Sequence, residues 1–133
     1  MTILVIDGMG GGIGKSVIAH IRTAFSEVEI TAAGTNAIAT AAMLKAGASH
    51  GATGENAIVY NCTKADYIIG AIGIVIANSM YGEISPRMAE AVSSSAAHKI
   101  LIPMDNCATV LGVAEKPLQA YINEIAETIK KLH

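Results

Sequence analysis

Tryptophan is absent and phenylalanine occurs once, so the apolar mass comes from Ala, Ile, Val and Gly. That composition favours closely packed helices on a sheet of small residues. Charge is also scarce, at 15% of residues with a net value of −2, which removes the electrostatic reason to expect nucleic acid or an acidic membrane surface. The two cysteines, Cys62 and Cys107, lie far apart and form no metal-type pair, so a reduced, cytoplasmic setting is expected. Met1 runs directly into a strand pattern without a charged region and a long apolar segment, the pattern of a signal peptide. The longest apolar run, "YIIGAIGIVIA" (67–77), is too short to span a bilayer and is broken by glycines. What remains is a chain of 133 residues, read as one domain over 1–133. Its mean hydropathy of +0.47 points to an apolar face covered in a homo-oligomer, with a dimer as the simplest form.

Strand and helix patterns alternate along the chain. "TILVID" (2–7) has the length and β-branched content of a buried parallel strand, and Ile13, Val17, Ile18, Ile21 and Phe25 then fall on one helical face. "VEITAAG" (28–34) is a second strand, followed by a helix capped by Thr35 or Asn36 and stopped at Gly47. A short strand or turn at 48–51, a helix over 55–64 and a strand at 66–71 come next. Ser85-Pro86 opens another helix, "KILIPM" (99–104) is a strand, and "ATVLGV" (108–113) suits a short edge strand. From Pro117, Leu118, Tyr121, Ile122, Ile125, Ile129 and Leu132 form one apolar stripe. The expected fold is α/β: a Rossmann-like three-layer sandwich with about five mainly parallel strands and helices on both faces.

The densest chemistry lies in "VIDGMGGGIGKSV" (5–17). A strand, a glycine turn and a helix suit phosphate, because glycine brings backbone close and the first helical N–H groups are unpaired. The dinucleotide pattern GxGxxG fails at Ile13. The P-loop GxxxxGK(S/T) fits Gly14, Lys15 and Ser16 but meets Met9 at its first glycine; the KGGxGK(S/T) variant of dimeric ATPases meets Gly10 at its first lysine. The short-chain dehydrogenase loop GxxxGIG fits fully at Gly8, Gly12, Ile13 and Gly14. No carboxylate completes a magnesium site: Asp105 follows a strand interrupted by Pro103, and Asp66 precedes its strand. The bland alternative is that the glycines only let the first helix sit tightly on the sheet.

Tyr60 and Lys64 spell YxxxK, in which a lysine one helical turn away lowers a tyrosine's pKa, and Ser49 lies eleven residues upstream. This raises a small NAD(P)-dependent reductase as an alternative, although the motif arrives far earlier than in the enzymes it resembles. Dinucleotide folds read the adenosine ribose with an acidic residue at the end of the second strand. Here Thr35 and Asn36 occupy that place. The segment 51–70 resembles the stretch after the third strand in nucleotide-sensing domains of potassium channels, which implies Gly51, Ala52 and Thr53 near a base. A second small-residue turn, Gly70-Ala71-Ile72-Gly73, with Asn78 and Ser79 beyond it, is expected to face the same crevice. His20 reads as a solvated helical residue, and His50, Cys62 and Cys107 lack metal-ligand spacing, so no metal is expected.

Together "VIDGMGGGIGK", "GTNAIATAAMLKAGA", "GATGENAIVYN", "GIVIANSMYGEISP" and "KILIPM" resemble an uncharacterised family of short Rossmann-like bacterial proteins, a domain of unknown function found mainly in anaerobes. The resemblance implies a single-domain bacterial protein and carries no activity or site residue. The expected site is therefore read from the residues alone. Gly8, Gly10, Gly11, Gly12, Ile13, Gly14 and Lys15 surround a phosphate, Thr35 and Asn36 face a ribose, Thr53 lies near a base, and Gly70, Gly73 and Asn78 complete the crevice. NAD(P) or an adenine nucleotide is the expected cofactor. A structural or partner-binding protein without a ligand is the remaining alternative.

Overall fold

The computed structural model describes residues 1–104 and 107–133. Its elements are β1 (Thr2–Asp7), α1 (Gly12–Ala24), β2 (Glu29–Gly34), α2 (Ala37–Lys45), β3 (His50–Thr53), α3 (Glu55–Cys62), β4 (Tyr67–Ala71), α4 (Pro86–Ser94), β5 (His98–Ile102), α5 (Leu118–Ile122) and α6 (Ile125–Leu132). The five strands form one sheet in the order β3-β2-β1-β4-β5, and every pairing is parallel. The chain builds outward from β1 to β3, then crosses back to lay β4 on the other side of β1. That reversal is the topological switch of the Rossmann arrangement.

Side-chain alternation along β1 explains the three layers. Ile3 and Val5 face α1, α2, α5 and α6, where they meet Val17, Ile18, Ile21, Met43, Ile122, Ile125 and Ile129. Leu4 and Ile6 face α3 and α4, where they meet Ile58, Cys62, Met88, Ala89 and Val92. Each fully buried Ile or Leu contributes about 1.5–3 kcal/mol relative to exposure, so β1, apolar on both faces, is the centre of both cores.

Local chemistry sets the helix ends. Asn36 caps α2 by accepting from the Ala39 N–H, and Gly47 takes φ +121° just beyond its end. Ser85 caps α4 with Pro86 at its first position and also donates to Glu55, tying α3 to α4. Arg22, at the end of α1, donates to the carbonyls of Gly47 and Val28 and to the Ser49 hydroxyl, which binds α1, β2 and the start of β3 together.

Three expectations need correction. Residues 108–113 form no strand: they are exposed and irregular, and β5 is the sheet's edge on that side. The helix expected from Pro117 is two short helices broken at Asn123–Glu124. His20 is half-buried rather than solvated, and its Nε2 accepts the Ala126 N–H at the start of α6.

Candidate functional site

β1 ends at Asp7, and the chain must reverse into α1 within four residues. It does so with two left-handed residues, Met9 (φ +51°) and Gly11 (φ +75°), and a Gly11 N–H to Gly8 carbonyl bond of 2.9 Å. The Asp7 carboxylate lies under this turn. One oxygen accepts from the Gly8 N–H at 2.8 Å and the other from the Gly14 N–H at 2.6 Å. A buried carboxylate thus holds the start of the turn to the first turn of α1. Burial raises the Asp7 pKa above its ordinary value, with nearby Glu83 adding to the effect and the backbone N–H groups opposing it.

The glycines separate by what surrounds them. A Cβ on Gly8 would meet Thr35 Oγ1 at 2.7 Å and Glu83 Oε1 at 3.0 Å. On Gly11 it would meet the Ala39 backbone at 2.9 Å, and on Gly14 the Met43 sulfur at 2.5 Å and Asp7 Cβ at 3.0 Å. Packing and backbone conformation therefore explain Gly8, Gly11 and Gly14. Gly10 and Gly12 differ: a Cβ on either has nothing within 4 Å, and neither has a positive φ. Their N–H groups have no acceptor among the described residues.

In front of them opens a cavity of about 1160 Å³. Its walls are Asp7 to Ile13 from the turn, Ala71 at the end of β4, and Asn78, Met80 and Tyr81 from the loop beyond. Pro103 and Met104 follow β5, and Cys107 to Val110, Val113, Glu115, Lys116 and Tyr121 form the outer wall. The Tyr121 hydroxyl fastens that wall, donating to the Ala114 carbonyl at 2.7 Å and accepting from the Lys116 N–H at 3.2 Å. Lys116 is the one cationic side chain among the described lining residues; its Nζ lies 3.5 Å from Glu124 and 5.7 Å from the centre of the Tyr121 ring. The rim is apolar and open, with Tyr81 93% and Met9 51% exposed, and Leu111, which follows Val110 of the outer wall, is 92% exposed.

The cavity gathers some expected residues and leaves others out. Gly8, Gly10, Gly11, Gly12, Ile13 and Asn78 line it. Gly14 is buried beneath the turn. Lys15 is exposed on α1 outside the lining, and the Ser16 hydroxyl bonds back to the Gly12 carbonyl, so neither takes a P-loop position. Gly70 packs against the Ile6 carbonyl within the sheet, and Gly73 accepts from the Ser79 hydroxyl; Ala71 and Asn78 face the cavity instead. Thr53 pairs with Thr40 at 2.8 Å, away from the cavity. Thr35 and Asn36 are bound to Glu83. Tyr60 and Lys64 line a separate groove of about 310 Å³ with Thr2 and Glu29, the first residues of β1 and β2. That is the opposite end of the strands from the glycine turn, so the structure does not unite YxxxK with the loop. Asp105 lies outside the described residues. Among those residues no cluster of three or more His, Cys, Asp and Glu side chains is placed to hold a metal, and no helix is long and apolar enough to cross a membrane.

Sequence reasoning missed Asp7, Glu83 and the outer wall. Asp7 had a local signal, an acidic residue ending a buried strand before glycines. Glu83 had none, because its partners lie 47 and more residues away.

A family model described as a domain of unknown function (DUF3842) matches residues 2–133. No curated protein matches the sequence. Among solved structures the chain is similar to a dodecameric FMN-dependent UbiX-like decarboxylase from Escherichia coli, with a TM-score of 0.50 and 15% identity over 98% of this chain and 76% of that one. The likeness is one of fold.

Two outcomes test this account of the turn. Gly11→Ala is expected to destabilise by about 1–3 kcal/mol in urea unfolding, whereas Gly12→Ala leaves stability unchanged. Equal losses would show that Gly12 also serves packing. For Asp7, a folded pKa raised above 3.8 means its stabilising contribution is complete below that pH and lost as pH rises through the folded value. Asp7→Asn removes that dependence, although its amide must face one backbone N–H. The stability of the variant relative to the wild type should therefore rise with pH across that window; a constant difference would contradict the raised pKa.

Proposed function

The chain belongs to the DUF3842 family, and from the geometry of its site we propose that it binds a nucleotide, with FMN or a similarly sized mononucleotide in the large cavity. The observation that carries this reading is the pair Gly10 and Gly12. Nothing among the described residues requires glycine there, and their N–H groups, at the start of α1, have no acceptor among those residues. A phosphate placed there would gain backbone donors and the favourable end of the helix dipole. Met104, Val110, Val113 and Tyr121 supply apolar surface for a ring system, and Lys116 supplies a cation.

The cavity's position argues against a dinucleotide such as NAD(P). It is lined from the chain following β1, β4 and β5, with nothing from the loops after β2 and β3, where an adenosine half would lie. The FMN dependence of the structural neighbour agrees with a flavin mononucleotide, although the likeness itself extends only to fold.

Calorimetric titration with FMN, FAD, NAD(P)(H), ATP, ADP and AMP tests the proposal. FMN should bind most tightly. Gly12→Asp should abolish binding through charge repulsion while leaving the melting temperature close to that of the wild type, since Asp is favourable in a first helical turn. Absence of binding by every nucleotide, or full binding by Gly12→Asp, would overturn it.

The apolar rim supports self-association as well, and the structural neighbour is itself a dodecamer. Light scattering after size exclusion should give a mass at least twice that of the chain, and Leu111→Lys should reduce it. A monomer at tens of micromolar would contradict this.

A further inference from the structure

Glu83 occupies a position that its own sequence neighbourhood does not explain. Three donors converge on its Oε1: the Met9 N–H at 2.9 Å, the Asn36 amide at 2.9 Å and the Thr35 hydroxyl at 2.5 Å. A backbone N–H, an amide and a hydroxyl meeting at one anionic oxygen make the donor set of an oxyanion site. Two of these donors lie at the end of β2, and the third belongs to the glycine turn beside the cavity. An acidic oxygen from the protein thus sits where the second half of a dinucleotide would approach.

The loop that carries Glu83 is shaped for this placement. Asn78, Met80, Tyr81 and Gly82 have φ values of +66°, +55°, +57° and +88°, a conformation unfavourable for the three non-glycine residues. The Asn78 N–H closes the loop on the Ile84 carbonyl at 2.7 Å. Gly8 lacks a side chain where Thr35 Oγ1, Glu83 Oε1 and Met80 Sδ crowd within 3.0 Å of where a Cβ would be. Neighbouring hydrogen bonds also hold the Glu83 carboxyl below its ordinary range, the Thr35 hydroxyl contributing most. It is therefore anionic when the cradle is filled.

We propose that Glu83 is the specificity determinant that restricts the site to mononucleotides, by filling the oxyanion cradle between β1 and β2 and setting a negative charge against a second phosphate. The inference rests on the mononucleotide reading above and deepens it. FMN meets only the cavity side of β1. FAD carries the same flavin half plus an adenylate, and that adenylate would have to reach past Glu83 toward β2 and β3.

The comparison of FMN with FAD isolates this effect, because both share the half that enters the cavity. Wild-type protein is expected to bind FMN at least about tenfold more tightly than FAD in calorimetric titration. Glu83→Ala empties the cradle and should lower that preference by about tenfold or more. Glu83→Gln keeps an accepting oxygen but removes the charge, so its preference should fall between those of the wild type and Glu83→Ala. Should Glu83→Ala fail to fold, Glu83→Asp withdraws the carboxylate by one methylene and should relax the preference in the same direction. An unchanged FMN-to-FAD ratio in a folded Glu83→Ala or Glu83→Asp protein overturns the proposal while leaving the mononucleotide reading intact. Equal binding of the two by the wild type also overturns it. Binding of neither by the wild type overturns the mononucleotide reading, and this inference with it.

Discussion

The candidate site depends on one buried carboxylate. Asp7 ends the central strand and accepts N–H groups from both sides of the glycine turn, Gly8 before it and Gly14 after it. An unpaired charge there would be costly, and a turn without it would leave two buried N–H groups without acceptors. Each half of the arrangement therefore supports the other. Gly14 can approach because it lacks a side chain, with Asp7 Cβ and Met43 filling the space one would need. Once Gly14 and Gly11 are pinned against Asp7 and α2, the intervening Gly12 is left at the surface of the turn. The openness of Gly10 and Gly12 is thus a product of how tightly their neighbours are held.

This sorting of glycines bears on what sequence patterns can report. The run Gly8 to Gly14 matches the short-chain dehydrogenase template at Gly8, Gly12, Ile13 and Gly14, yet two of those glycines are explained by packing and Gly12 by open space. A pattern of glycines records close approach without recording what approaches. Much of the fold was legible because its causes are local: the β-branched run of β1, the Asn36 cap, the stop at Gly47 and the Ser85-Pro86 start. That the chain after β1 and the chain after β4 meet at one end of the sheet was also legible, since alternating elements and right-handed crossovers leave few topologies.

The candidate site was legible only where one element made it. Six of the expected residues line the cavity, and five of them belong to the turn after β1. Thr35 and Asn36 stand at the end of β2 as expected, but a residue 47 positions beyond Asn36 takes their hydrogen-bonding capacity. Tyr60 and Lys64 show the converse error. The Lys64 ammonium does lie 5.4 Å from the centre of the Tyr60 ring, reaching back from the turn past α3, while the fold puts the pair at the far end of the strands. Residues 108–113 of the outer wall read as a short edge strand; in the structure they are irregular and find no strand to pair with.

Asp7 and Glu83 carry opposite pKa shifts although they belong to the same corner, and the contrast follows from solvent. Asp7 has N–H partners but is buried, and desolvation dominates, so its carboxyl is raised. Glu83 is more open, and its three donors dominate, so its carboxyl is lowered. Each charge also disfavours the other, which is why Glu83 contributes to raising Asp7. On the mononucleotide reading, a phosphate at Gly10 and Gly12 would therefore meet two carboxylates whose surroundings shift them in opposite directions. The desolvated carboxylate lies under the turn, on the cavity side, and the hydrogen-bonded one lies toward β2.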